Sequence, residues 1–238
     1  MTTATQELPI LAFPDRRSAE ISLADALAAS VTAAHGEGRR ARIALSGGST
    51  PAPAYARFAS MDLDWSRIDI ALVDDRWVDA NSAGSNEAMI RTAFDPATGV
   101  TIIGMKTQDE TPFAAEAGLD PVYAALRPFD SVVLGMGADA HTASWFSGSP
   151  QLANCLSPDG SATVLGVDAS AAPVAVQFPL RMTLTLPAIA QCDQVIVLLF
   201  GDEKKQVLID ALDAPVMKAP IKAVVEACDD RCIVFWAA

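Results

Sequence analysis

Ser131-Val132-Val133-Leu134-Gly135-Met136-Gly137-Ala138-Asp139-Ala140-His141-Thr142-Ala143-Ser144 changes character at its fifth residue. An apolar, β-prone run gives way to two glycines that permit tight turns. A carboxylate follows, then one of only two histidines in the chain. The pattern is that of a strand running into a polar loop. A histidine just past a strand end is placed to act as a base near neutral pH. A strand-to-helix turn whose histidine merely caps or packs would share the same local pattern.

The same transition recurs on either side. A strand is expected at 42–45, leading into Ser46-Gly47-Gly48-Ser49-Thr50-Pro51. There Thr50 is suited to cap a second helix and Pro51 to begin it. A strand at 68–73 runs into Asp74-Asp75-Arg76, and one at 195–200 into Gly201-Asp202-Glu203-Lys204. Further strands are expected at 174–178 and 232–236. Helices are expected at 18–34, 86–92, 114–126 and 203–212. The stretch 150–173 is Ser-, Asp-, Gly- and Ala-rich and reads as a loop-bearing insertion with at most one short hairpin. Short apolar strands alternating with helices imply an α/β fold, an open and mostly parallel sheet with helices on both faces. The whole chain, 1–238, is expected to form a single domain.

Composition narrows the function. The chain has 238 residues, is 51% hydrophobic and carries a formal net charge of −12. Such a charge repels phosphate backbones, so nucleic acid is not an expected partner. A small anionic substrate is compatible only where a few cations outvote the global field. Cys155, Cys192, Cys228 and Cys232 lack metal-ligand spacing and read as thiols of a reducing compartment, with no metal site. No apolar run reaches the roughly 18 residues needed to span a bilayer. Met1-Thr2-Thr3-Ala4-Thr5-Gln6-Glu7 has neither the basic region nor the apolar core of a signal peptide. A cytoplasmic protein is expected, as monomer or small homo-oligomer, with no membrane partner.

In an open parallel sheet, ligands bind outside the carboxyl ends of the strands. If the strands are parallel, the Gly47-Gly48-Ser49-Thr50 turn, Asp74-Asp75-Arg76, the Gly135–Ser144 loop and Lys204 share one rim. The double-glycine turn offers N–H groups and hydroxyls to an anion or a sugar. It is no P-loop, since no G-K-[ST] follows. Arg76 supplies a fork suited to phosphate or carboxylate. Arg181 is a lone cation in a largely apolar segment, placed either for a ligand or for the surface. Of the adjacent Lys204 and Lys205, a helix would turn at most one toward the rim. His35 beside Gly36 suits a helix end.

Taken together, Leu45-Ser46-Gly47-Gly48-Ser49-Thr50-Pro51, Asp74-Asp75-Arg76, Ser85-Asn86, the Gly135-Met136-Gly137-x-Asp139-x-His141-Thr142-Ala143-Ser144 loop and Arg181-Met182-Thr183-Leu184-Thr185 resemble the 6-phosphogluconolactonases. Their order is that family's, and the resemblance runs from about residue 40 to about 210. The glucosamine-6-phosphate deaminases share the fold but usually follow the histidine with isoleucine and an F-N-E-P-type segment, where this chain has Thr142-Ala143-Ser144-Trp145-Phe146. Three departures stand out. The family commonly has glycine where Ala140 stands, a strained position for alanine if φ is positive there. It often has D-E-R where this chain has Asp74-Asp75-Arg76. The approach to Arg181, Val176-Gln177-Phe178-Pro179-Leu180, also lacks the family's Pro/Lys-rich character.

The resemblance implies hydrolysis of 6-phospho-D-glucono-1,5-lactone without metal or organic cofactor. For that reaction His141 is the expected base, with Asp139 or Asp74 holding the imidazole. Gly47, Gly48, Ser49, Thr50, Asp75, Arg76, Gly135, Met136, Gly137, Arg181 and Lys204 are the expected substrate contacts. Backbone N–H groups of either glycine turn are candidates for the oxyanion, and Arg76, Arg181 and Lys204 for the phosphate. The alternatives are deaminase or isomerase chemistry and a sugar-phosphate-binding regulator without turnover.

Overall fold

A computed structural model describes residues 8–238. The N-terminal segment read above for signal features lies outside them. The elements are β1 (Ile10–Ala12), α1 (Arg16–Gly36), β2 (Ala41–Leu45), α2 (Ala52–Ala59), β3 (Ile68–Leu72), β4 (Asp74–Arg76), α3 (Asn86–Ala93), β5 (Thr101–Ile103), α4 (Pro112–Ala124), β6 (Ser131–Leu134), α5 (Leu152–Cys155), β7 (Val164–Asp168), β8 (Leu180–Leu184), α6 (Leu186–Ala190), β9 (Val195–Phe200), α7 (Asp202–Asp213), α8 (Ile221–Cys228) and β10 (Cys232–Ala237).

Seven strands form one sheet in the order β1-β10-β9-β6-β2-β3-β5. Every pairing in it is parallel. Parallel strands are covered on both faces, and their side chains are apolar accordingly. All four residues of β6 and the first five of β9 are buried. The α/β class expected from the sequence is the one observed.

Strand order decides where a ligand can sit. From β2 the chain moves to β3 on one side; from β6 it moves to β9 on the other. The order therefore reverses between the neighbours β2 and β6. A crevice opens outside their carboxyl ends at such a switch point. The double-glycine turn follows β2 and the histidine loop follows β6, so both border this crevice. Lys204 arrives from the first turn of α7, after β9.

The region after β3 departs from the expected loop. Val73 donates to the Leu45 carbonyl at 3.0 Å and accepts from the Leu184 N–H at 2.8 Å. It ends the large sheet and begins a second one. That sheet is antiparallel, ordered β4-β8-β7. Asp74-Asp75-Arg76 is thus a strand, with Asp75 opposite Met182 and Arg76 opposite Arg181.

The strand expected at 174–178 is not formed. Pro173–Ala175 make a 3-10 turn, and the strand lies six residues later, at β8. The stretch 150–173 is less loop-like than its composition suggested, since it contains α5 and β7. β1, β5 and α8 were not anticipated. The first two are three-residue edge strands, too short to leave a periodic signature. At the start of α2 the expected cap is also displaced: Pro51 occupies the cap position and no side chain caps it. All four cysteines are free and buried. No helix among the described residues is long and apolar enough to cross a membrane.

Candidate active site

A cavity of about 320 Å³ occupies the switch point, within the range usual for small-molecule sites. Of the residues proposed from the sequence, Gly47, Gly48, Thr50, Asp74, Arg76, Gly135, Met136, Gly137, His141, Arg181 and Lys204 line it. Ser49, Asp75 and Asp139 do not. Ser49 is turned to solvent, and Asp139 reaches the cavity only through His141.

The histidine loop is held by hydrogen bonds within itself. Gly137 N–H donates to the His141 carbonyl at 2.9 Å, and Ala140 N–H to the Gly137 carbonyl at 3.1 Å. The first of these bonds withdraws the Gly137 N–H from any ligand. The His141 and Asp139 side chains fold back over Gly137, where a Cβ would collide with both. His141 Nδ1 is hydrogen-bonded to Asp139 Oδ1, which leaves Nε2 available to a ligand. Burial opposes ionisation of Asp139, but the hydrogen bond and charge of His141 more than offset this and hold its carboxyl below the usual range. Ala140 sits at φ +60° and Ala143 at φ +49°, so the departure from glycine at 140 does place an alanine in left-handed backbone. The Ala140 carbonyl accepts from Ile221 N–H, the first residue of α8, at 3.2 Å.

After the histidine, the side chains of Thr142, Ser144, Trp145 and Phe146 each have a partner. Thr142 Oγ1 donates to the Gly135 carbonyl at 2.8 Å, closing the loop on its own start. Ser144 Oγ donates to Asp74 Oδ2 at 2.6 Å, and its N–H to Thr183 Oγ1 at 3.2 Å. Trp145 Nε1 donates to the Leu184 carbonyl at 2.9 Å. Phe146, buried, stacks on the His141 ring with centroids 4.4 Å apart. The Arg181 guanidinium lies 5.4 Å from the centroid of the Phe146 ring.

The two neighbouring aspartates do different work. Asp74 opens on the cavity. It accepts from Ser144 and from Asn86 Nδ2 (3.2 Å) and lies 3.9 Å from Arg181 Nη1. Asp75 points the other way, beneath the N-terminus of α3. It accepts from the N–H groups of Asn86 (2.6 Å) and Glu87 (3.1 Å) and from Ser85 Oγ (3.0 Å). A carboxylate there satisfies orphan N–H groups and complements the helix dipole. Burial is the main influence on Asp75 and pushes its carboxyl up to about 6, although these N–H bonds pull it back.

Three cations meet at the cavity. Arg181 is only 6% exposed; burial lowers its pKa, against the pull of Asp74. Arg76 donates Nη1 to the Gly84 carbonyl at 2.9 Å, while its buried Nε has no partner. Lys204 donates to the Met136 carbonyl at 2.5 Å; burial lowers its pKa and Asp139 opposes that. Lys205 instead lies 4.0 Å above the Trp236 ring. His35 sits in the last turn of α1, bonded to the Arg67 carbonyl.

Sequence reasoning assigned no role to Asn86, although Ser85-Asn86 stood among the quoted motifs. Its side chain bridges the two halves of the cavity. Nδ2 donates to the Asp74 carbonyl at 2.8 Å, and the amide fills the space a Cβ on Gly47 would need. An asparagine directly after a serine helix cap was the available signal. Among the described residues, no group of three or more His, Cys, Asp or Glu side chains is disposed to hold a metal ion.

An open parallel α/β sheet, a switch-point cavity with an oriented histidine, and cations facing it define an enzyme of small anionic metabolites. A family model described as glucosamine-6-phosphate isomerases/6-phosphogluconolactonase matches residues 14–234, and the chain belongs to that family. It is 35% identical to a 6-phosphogluconolactonase of Mesorhizobium japonicum over 95% of this chain and 94% of that protein. It is 32% identical to one of Caulobacter vibrioides over 95% and 96%. Among solved structures, a 6-phosphogluconolactonase from Shewanella baltica superposes with a TM-score of 0.87 at 34% identity, covering 98% of this chain and 99% of that one.

Proposed function

We propose that this protein hydrolyses 6-phospho-D-glucono-1,5-lactone to 6-phospho-D-gluconate, with His141 as general base. The observation that carries the reading is the His141–Asp139 pair at a cavity that also presents Arg76, Arg181 and Lys204. A lactone is an activated ester, so water and a base suffice. Asp139 fixes the imidazole through Nδ1. Nε2 takes a proton from water as its oxygen attacks C1, and the carbonyl becomes an oxyanion. When the intermediate collapses, the C1–ring oxygen bond breaks and the imidazolium returns its proton to that oxygen.

With the Gly137 N–H already engaged, the Gly47–Gly48 turn is the better source of oxyanion donors. Arg76 and Arg181 hold the phosphate, helped by Lys204. Asp74, held by Ser144 and Asn86, orients Arg181 and faces the sugar hydroxyls. It does not touch His141, so Asp139 takes the orienting role.

Replacing His141 by Asn is expected to lower kcat by about two to four orders of magnitude, the usual worth of a general base. The measurement is proton release from freshly generated lactone, with spontaneous opening subtracted. Near-normal kcat in a folded His141→Asn protein would remove His141 from the reaction. Ammonia release from glucosamine 6-phosphate would point to deaminase chemistry. Tight binding of 6-phosphogluconate without acceleration would point to a regulator.

A further inference from the structure

Arg76 and Arg181 are direct partners across β4 and β8. Each spends one N–H on a loop carbonyl, and the two loops are different. Arg76 Nη1 donates to Gly84 in the loop before α3 (2.9 Å), and Arg181 Nε donates to Phe178 in the loop before β8 (2.7 Å). The two carbonyl-bearing residues touch. The Phe178 ring lies against Gly84, so that a Cβ on Gly84 would stand 2.7 Å from Cζ and 2.9 Å from Cε2. Gly84 is buried, and its φ is not left-handed. Glycine is therefore needed there by the approach of the ring, not by the backbone. Neither residue lines the cavity.

We propose that the Phe178–Gly84 contact is a latch that sets the spacing and direction of the Arg76 and Arg181 guanidiniums, and so the affinity for the substrate's phosphate. The inference rests on the assignment of these arginines to the phosphate. Phe178 and Gly84 are positioning residues, acting through the carbonyls they carry. A guanidinium on a three-carbon stem loses rotamer freedom when it grips an anion, and one tethered in advance has less to lose. The latch tethers two at once, from the side of the strand pair where the loops meet. It also gives a use to the Val176-Gln177-Phe178-Pro179-Leu180 approach, which carries no cation of its own. The aromatic ring is what the approach contributes.

The test compares Gly84→Ala, Phe178→Leu and the double variant, with inorganic phosphate as competitive inhibitor and the phospholactone as substrate. Gly84→Ala is expected to raise both KM and the phosphate inhibition constant by about tenfold, with kcat within about twofold and a melting temperature lowered by the overpacking but still that of a folded protein. Phe178→Leu, which withdraws the ring but keeps apolar cover, is expected to act in the same direction. In the double variant the smaller side chain makes room for the added methyl, so both constants return toward wild type. That rescue would not occur if the contact served only to hold the fold together.

Unchanged KM and phosphate inhibition in folded Gly84→Ala and Phe178→Leu proteins would overturn the latch, as would a fall in kcat with KM unchanged. Arg181→Ala separates the two readings. If it raises the phosphate inhibition constant while the latch variants do not, only the latch fails. If it leaves that constant unchanged, the phosphate assignment itself is wrong.

Discussion

Gly137 illustrates how one missing side chain organises this site. A Cβ there would meet His141 Cε1 and Nδ1 and stand 2.5 Å from Asp139 Oδ1. Gly137→Ala is therefore expected to break the His141–Asp139 pair and lower kcat/KM by about 100-fold or more, with an unaltered circular dichroism spectrum. Activity within tenfold of wild type would contradict it. Ala140 is the opposite case, a side chain where backbone geometry favours none. Left-handed φ costs an L-residue about 1–2 kcal/mol. Changing it to glycine relieves this but forfeits a buried methyl, about 0.8 kcal/mol, and enlarges unfolded-chain freedom by about 0.4–1 kcal/mol. The terms nearly cancel, which explains why alanine is tolerated. Ala140→Gly is expected to shift the melting temperature by less than about 3 °C. Ala140→Val, β-branched at a φ such residues avoid, should lower it by about 5 °C or more. A large gain in melting temperature for Ala140→Gly would show that strain dominates.

At the scale of elements, α3 depends on a carboxylate from another strand. Asp75 is held near 6 in the folded chain against an ordinary 3.8. Between about pH 4 and 6 the folded state keeps a proton the unfolded chain has released. The stability this contributes is complete below about pH 4 and is lost as pH rises through 6. Asparagine has no proton to release. The stability difference between wild type and Asp75→Asn, from urea midpoints, is thus expected to move against wild type across that window. A difference constant with pH would contradict the burial argument. The element level also shows what was legible. β2, β3, β6, β9 and β10 were readable because each is a compact apolar run bounded by turn residues. β8 was not. Val174-Ala175-Val176-Gln177-Phe178 looks more strand-like than Leu180-Arg181-Met182-Thr183-Leu184, yet only the second finds partners. Those partners, β4 and β7, lie on opposite sides of it in space and up to about a hundred residues away in sequence, beyond the reach of any local pattern.

For the molecule as a whole, the site joins both sheets. Loops after β2 and β6, the strand β4 and the first turns of α3 and α7 converge on it, and β8 of the small sheet delivers Arg181. A ligand bridging these parts should stabilise the entire fold by mass action. With 6-phosphogluconate at about 100 times its Kd, the gain is about 2.7 kcal/mol, or about 5–10 °C in melting temperature for a chain of this length. Arg181→Ala at the same ligand concentration is expected to lose most of that shift; an undiminished shift would place the ligand elsewhere. The net charge of −12 makes this local gathering of cations necessary, since the surrounding field repels the same anion. The sequence by itself determined the parallel α/β architecture and the motifs at its rim, because hydrophobic periodicity and turn chemistry are local properties written into consecutive residues. Which aspartate meets His141, which N–H groups stay free, and how Asn86, Phe146 and Phe178 brace the cavity were decided only by tertiary structure. Some of those contacts join residues distant in the chain, as Phe178 and Gly84; others, as His141 and Asp139, are set by how the loop folds back on itself, and neither kind is written in hydrophobic periodicity.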